Sequence, residues 1–181
     1  MDCSPIITVS LDDPLYHDPR EDLVVVSRDH AVPRDLCQTP AMRARAVYAH
    51  VRSRAVLVDE AAVFVYTGVW TINPRVIRQL PTAPLPGRST RWTSDRRLLK
   101  DDHIVFFGEV PVTTMVRTAA DLLYQPPLRA VTSILPLLRV GLDPGDVIEF
   151  MGERFRGHPT DDASRLIEQL GATVARHRSS R

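Results

Sequence analysis

The sequence predicts a mixed α/β fold: a small mixed β-sheet flanked by helices, with a helical C-terminal subregion packed on it. Three observations predict it. Short β-branched runs such as LVVVS at Leu23–Ser27 read as buried strands. Thr39-Pro40 and Asp143-Pro144 read as helix starts, a capping side chain followed by proline at the first helical position. Strand and helix patterns interleave up to residue 125, and helical patterns alone follow. The expected division is therefore an N-terminal extension over 1–22, an α/β core over 23–125 and a helical subregion over 126–181.

The elements follow in order. In the Pro- and Asp-rich residues 1–21, only Ile6–Leu11 suggests a strand; the rest reads as loop. After Leu23–Ser27, the helix opened by Thr39 turns Met42, Ala46, Val47 and Ala49 inward and Arg43, Arg45, His50 and Arg52 elsewhere. Ala55–Val58 (AVLV) is a strand fragment feeding a short helix, with Asp59 in the N-cap place and Gly68 as its stop. Arg75–Leu80, Thr90–Thr93 and His103–Phe107 are candidate strands between Pro- and Gly-rich turns. Gly108-Glu109 turns the chain into Val110–Val112, and Thr113 or Thr114 caps the helix MVRTAADLL. Three helical patterns remain, Leu128–Val140, Pro144–Arg154 and Asp161–His177. Pro136 is expected to kink the first or break it at Leu135. Gly141 ends it, Thr160 caps the last, and the tail RHRSSR is expected to fray.

Composition narrows the function. The chain has 181 residues, 44% of them hydrophobic, enough to fill a core. Its 23 basic residues nearly balance 22 acidic ones, so overall charge gives no pull toward nucleic acid. No apolar run is long enough to span a membrane, and MDCSPIITVSLDDPLYHDPRED lacks the basic start and apolar run of a secretory signal. Cys3 and Cys37 form no CxxC pair, which points to reduced thiols and a cytoplasmic protein rather than zinc. Lys100 is the sole lysine in an arginine-rich chain.

Phosphate-loop, dinucleotide, metalloprotease and serine-hydrolase motifs are all missing. The histidines are scattered; only His158, near Asp161 and Asp162, suggests a cluster, and helix capping accounts for that. The densest charged stretch, Arg88–Asp102 (RSTRWTSDRRLLKDD), sets Arg88, Arg91, Arg96, Arg97 and Lys100 around Trp92. Such a patch can grip phosphate or stack a base. The favoured reading is a charged sheet edge, because Asp95, Asp101 and Asp102 dilute the field. A narrower reading is phosphoryl transfer, which needs a cation on the phosphates and carboxylates on magnesium. Lys100 and Arg97 are the candidates for the phosphates, with Asp59 and Asp101 for the metal. On an extended strand, Asp101 and Asp102 would face opposite ways.

Five segments occur in order: AMRARAVYAHV, AVLVDEAAVFVYTGVW, RVIRQLP, TRWTS and GEVPVTTMVRTAADLL. This succession, over roughly residues 23–125, resembles the C-terminal domain of the AbiEi-like antitoxin family, common in actinobacteria. The last segment is the most specific, with Val112, Thr113, Thr114, Arg117, Thr118 and Asp121 all in place. Two departures stand out. The family's N-terminal winged helix is missing, so promoter binding and autorepression are not expected. Asp59-Glu60 stands where serine and threonine are usual.

The resemblance implies a partner, a nucleotidyltransferase-like toxin that the antitoxin neutralises. In the lysine-poor actinobacterial branch it implies an atypical serine protein kinase that phosphorylates the toxin using ATP and Mg2+. On that reading Lys100 holds the phosphates, Asp59 is metal ligand or base, and Arg43 or Arg117 is the charge clamp. The alternative is a non-enzymatic antitoxin or regulator that binds toxin or promoter DNA. Arg117 and Asp121 are i, i+4 on one helix with the cation first, the weaker order, worth only about 0.2–0.5 kcal/mol if exposed. They are expected instead to hold other segments in place, a loop near Asp59 among them.

Overall fold

The computed structural model describes residues 9–10, 23–25, 30–49, 55–69, 77–81, 92–94, 99–155 and 160–180, with backbone alone at 9–10, 25, 30, 77–81 and 92–94. Its strands are β1 (Val9–Ser10), β2 (Leu23–Val25), β3 (His30–Pro33), β4 (Ala55–Leu57), β5 (Ile77–Pro81), β6 (Trp92–Ser94), β7 (Ile104–Phe107) and β8 (Val110–Thr113). Its helices are α1 (Pro40–Tyr48), α2 (Asp59–Thr67), α3 (Met115–Leu123), α4 (Pro127–Arg139), α5 (Pro144–Arg154) and α6 (Asp161–Ser179). Short 3₁₀ turns cover Arg34–Cys37 and Asp101–His103. The fold is mixed α/β, as the patterning predicts.

Two sheets form. The smaller is antiparallel in the order β1-β3-β2, with Val9 opposite Ala31 and Val24 opposite Val32. Residues 1–22 thus contribute a strand to it. Strand β3 escapes sequence reading because HAVP is four residues ending in proline, too short to show alternation. The larger sheet runs β6-β5-β4-β8-β7. Within it β4 and β8 are parallel, Leu57 beside Val112, while β7 and β8 form an antiparallel hairpin. Gly108 takes φ 64 at the first loop position, the sign a two-residue II′ hairpin turn requires.

The parallel pair positions the site. Strand β4 is wholly buried, as its AVL run demands, and passes through Val58 into α2. Strand β8 passes through Thr114 into α3. Both helices therefore start at the same sheet edge, the carboxyl end of two adjacent parallel strands, where α/β folds build their sites.

Among the described residues, two large apolar clusters hold the layers together, and a small third one sets Val56 and Val58 against Leu99 and Ile104. One joins Val24 and Val32 of the small sheet to Val47, Leu57, Phe64 and Val112. The other joins Val63 of α2 to Leu122, Ile134, Leu137, Met151 and Ile167 of the later helices. Full burial of each such side chain contributes about 1.5–3 kcal/mol. Helix α2 supplies side chains to both clusters, and α3 packs with α4, α5 and α6. In packing, the helical subregion therefore begins at α3 rather than at residue 126.

Several expectations change. Helix α4 runs through Pro136 without ending at Leu135. Proline deprives the Thr132 carbonyl of its helical donor, but Thr132 is exposed, so water can serve there. Buried Ile134, Leu137 and Leu138 hold the helix on either side. Arg176 and Arg178 do not fray: α6 continues to Ser179, and Arg178 Nη2 donates to the carbonyls of Leu138 (3.2 Å) and Arg139 (2.6 Å) at the end of α4. Thr160 holds the N-cap position of α6 without a side-chain capping bond, whereas Asp143 Oδ1 caps α5 through Gly145 N at 2.7 Å.

Candidate functional site

The segment VTTMVRTAAD forms one hydrogen-bonded unit at the carboxyl edge of β4 and β8. Thr113 and Thr118 are fully buried, their hydroxyls 2.7 Å apart. Thr113 Oγ1 lies 3.4 Å from Leu57 O, tying β8 to β4, and Thr118 Oγ1 lies 3.3 Å from Thr113 O, so either hydroxyl can donate to the other across their 2.7 Å contact. Tyr66 of α2 donates its hydroxyl to Thr113 O at 2.9 Å. Burial pushes the Tyr66 phenol well above its ordinary pKa, which keeps it a neutral donor. Thr114 is the cap of α3, accepting from Arg117 N at 3.2 Å. The two threonines thus divide the work of fixing the strand and starting the helix.

Arg117 and Asp121 are buried, 6% and 5% exposed, which rules out a solvated surface pair. Arg117 Nε donates to Asp121 Oδ2 at 2.9 Å, and Nη1 donates to His103 Nδ1 at 2.9 Å. Its guanidinium carbon lies 5.7 Å from the centroid of the Phe155 ring. A guanidinium can only donate, so His103 Nδ1 must be the acceptor. The His103 ring proton therefore sits on Nε2, and the ring is neutral. The Lys100 backbone N–H also points at Nδ1, at 3.4 Å. Burial first, then the Arg117 charge, lowers the His103 pKa below its ordinary 6.5.

The chain of charges continues outward. His103 Nε2 is buried and lies 3.5 Å from Asp102 Oδ1, close enough for electrostatic attraction but not a hydrogen bond. Asp102 Oδ2 accepts from Arg154 Nη2 at 2.7 Å. The His103 ring meets Phe150 edge-on at 5.2 Å. The sequence Asp121, Arg117, His103, Asp102, Arg154 thus links α3, the second 3₁₀ turn and the last turn of α5. Arg117 reaches other segments, its partners beyond α3 including the His103 turn and Phe155, while Asp121 is bound to Arg117 on the same helix.

The remaining predicted residues fall as follows. Lys100, Asp101 and Asp102 are exposed at this rim, and the two aspartates lie in a 3₁₀ turn, so the strand argument that kept them apart does not apply. Asp59 is fully buried with φ 51, the left-handed region that non-glycine residues seldom adopt. It is the first residue of α2; Val58 takes the N-cap position, with no side-chain capping bond there. Two residues earlier, Leu57 is bound to Thr113, which sets Asp59 beside the start of α3.

Arg43 lies elsewhere and is buried, not turned outward. Its Nε donates to Val65 O at 2.8 Å and its Nη2 to Tyr66 O at 3.1 Å. Its Nη1 donates to Cys37 O at 3.1 Å and Gln38 O at 2.9 Å. The guanidinium caps the last carbonyls of α2 and joins them to the first 3₁₀ turn, which takes up the donors a phosphate clamp would use. The adjacent Cys37 thiol is raised in pKa by burial, as in an inert structural cysteine.

Arg97, with Arg88, Arg91, Arg96 and His158, lies outside the described residues. Among the described residues no group of three or more His, Cys, Asp or Glu side chains could hold a metal ion. Magnesium needs only one or two carboxylates beside substrate phosphates. Asp101, exposed next to Lys100, fits that need, whereas Asp59 has no exposed surface to offer an ion.

Sequence reading misses Arg154, Tyr66 and the special place of His103. The only local signal is that His103 opens a β-branched strand. A second cross-link it misses is Glu60 with Arg129, at the start of α2 and near the start of α4. No family model, no curated protein and no solved structure matches this chain.

Proposed function

We propose that the chain is an antitoxin that neutralises a nucleotidyltransferase-like toxin by phosphorylating a serine on it, with ATP and Mg2+. One observation carries the reading. The residues of the VTTMVRTAAD resemblance are the members of a single buried unit at the carboxyl edge of parallel strands, with Lys100 exposed at its rim. That placement supports Lys100 as the phosphate-contacting cation and Asp101 as the carboxylate for magnesium, which when bound neutralises phosphate charge. Arg117 and Asp121 act from beneath, holding the His103 turn that carries Lys100 to Asp102. Asp59 and Arg43 serve the frame in this conformation. No described helix is long and apolar enough to cross a membrane.

A binding antitoxin without catalysis is the second reading. It is favoured by the closure of Arg117, Asp121 and Asp59 from solvent. The two separate by incubating chain, toxin and ATP-Mg2+ and measuring the intact mass of the toxin. Kinase action predicts the gain of one phosphoryl group, lost in Lys100→Ala. A stable complex on gel filtration with an unchanged mass supports binding alone. A promoter-binding regulator would instead shift DNA in a way that weakens steeply with salt.

A further inference from the structure

Among the described residues, strand β7 ends the five-stranded sheet. Its run, Ile104-Val105-Phe106-Phe107, carries no charge, and Phe106 is 63% exposed. Edge strands in natural proteins are ordinarily guarded by charge, proline or a bulge. The hairpin register tells which groups face outward. His103 O accepts from Thr114 N at 3.0 Å, so the bonded pairs with β8 are His103–Thr114, Val105–Val112 and Phe107–Val110. The N–H and C=O groups of Ile104 and Phe106 therefore point away from the sheet. Pro111 stands opposite Phe106, where no bond to β7 is needed.

We propose that β7 pairs with β7 of a second copy of this chain, antiparallel about a two-fold axis through Val105. That axis sets Ile104 of each copy opposite Phe106 of the other, and residues so paired exchange both backbone hydrogen bonds. An isologous contact of this kind uses the same patch twice and needs no other surface to match it. Charge agrees with the second copy as occupant. Nothing charged lies within the paired run, so no like charges meet at the axis. The axis carries Glu109 of one copy to the Lys100 end of the other. That end is balanced, with Lys100 and Arg154 against Asp101 and Asp102. The contact is small, in the weak class of interfaces.

Sedimentation of the full chain from low micromolar to millimolar concentration tests the proposal. A reversible rise from the 20.3 kDa monomer toward twice that mass is expected. Phe106→Lys, at an exposed position, leaves the fold intact by circular dichroism and weakens the dimer by at least about tenfold. Hydrogen exchange at the Ile104 and Phe106 amides slows as concentration rises, while Val105 stays slow throughout. A monomer at every concentration overturns the proposal, as does a dimer that Phe106→Lys leaves unchanged. Protection of those two amides only on adding another protein assigns the edge to a foreign strand, and equally overturns it.

Discussion

Replacing Arg117 by methionine tests whether the buried charge chain holds the site together. The substitution keeps an unbranched stem of similar reach but removes the guanidinium. Asp121, 5% exposed, loses its 2.9 Å bond, and His103 Nδ1 loses its 2.9 Å donor. Phe155 loses the cation beside its ring. Removing one partner of a buried ion pair costs about 3–5 kcal/mol, against about 0.2–0.5 kcal/mol for an exposed helical pair. At a urea dependence of about 1–3 kcal/mol per molar, the unfolding midpoint should fall by about 1–5 M. Asp121→Leu alone should be similarly costly. The double variant should cost clearly less than the sum, giving a coupling of at least about 1.5 kcal/mol in a double-mutant cycle. A midpoint loss equivalent to less than about 1 kcal/mol, with additive variants, would refute the claim that folding has desolvated this pair.

Other outcomes follow from the same geometry. Arg43→Lys keeps the charge but not the planar fork, so carbonyls bonded at 2.8–3.1 Å lose donors, and stability to urea should fall by about 2–4 kcal/mol. His103 has a folded pKa below 6.5, so below that pH the unfolded chain binds more protons than the folded one. Its contribution to stability is therefore lost as pH falls from 6.5 toward the folded value. Urea midpoints near pH 7 and pH 5 should diverge less in His103→Gln than in the unaltered chain. Gly152→Ala meets nothing within 4 Å in α5 and should stabilise by about 0.5–1 kcal/mol. Gly171→Ala in α6 would place its Cβ 2.5 Å from Pro144 Cγ and should destabilise by about 1–3 kcal/mol instead, both read by thermal melts.

What the sequence discloses here is mostly local. The caps at Thr39, Thr114 and Asp143, the stop at Gly68 and the hairpin turn at Gly108 each combine a residue type with a neighbouring pattern. Each is found where local chemistry puts it. The failures are tertiary. Arg43 reads as facing away from the core because a helical wheel ranks arginine as polar, yet two chain segments, the end of α2 and the first 3₁₀ turn, converge on it to have their carbonyls satisfied. Pro136 reads as a break because its cost is local, while the packing that offsets it comes from distant helices. Arg178 reads as frayed tail because its acceptors lie some forty residues away on α4. Of the site, the Arg117–Asp121 pair and the Lys100–Asp102 cluster are visible in sequence. What is not visible is that a neutral histidine joins them, since the tautomer depends on which atoms face His103 after folding. In sequence Asp59 reads as an ordinary helix cap, and stands out only against the serine and threonine usual at Asp59-Glu60 in the family the chain resembles. Its burial and left-handed backbone emerge only when β4 docks beside β8.

The most direct test of the account is the intact mass of the toxin after incubation with this chain and ATP-Mg2+. Unaltered chain and Arg43→Ala that remains folded should both add a phosphoryl group, because Arg43 serves the frame. Lys100→Ala, with its exposed side chain removed and the fold intact, should add none. An unmodified toxin with the unaltered chain, or a full mass shift with Lys100→Ala, would contradict it.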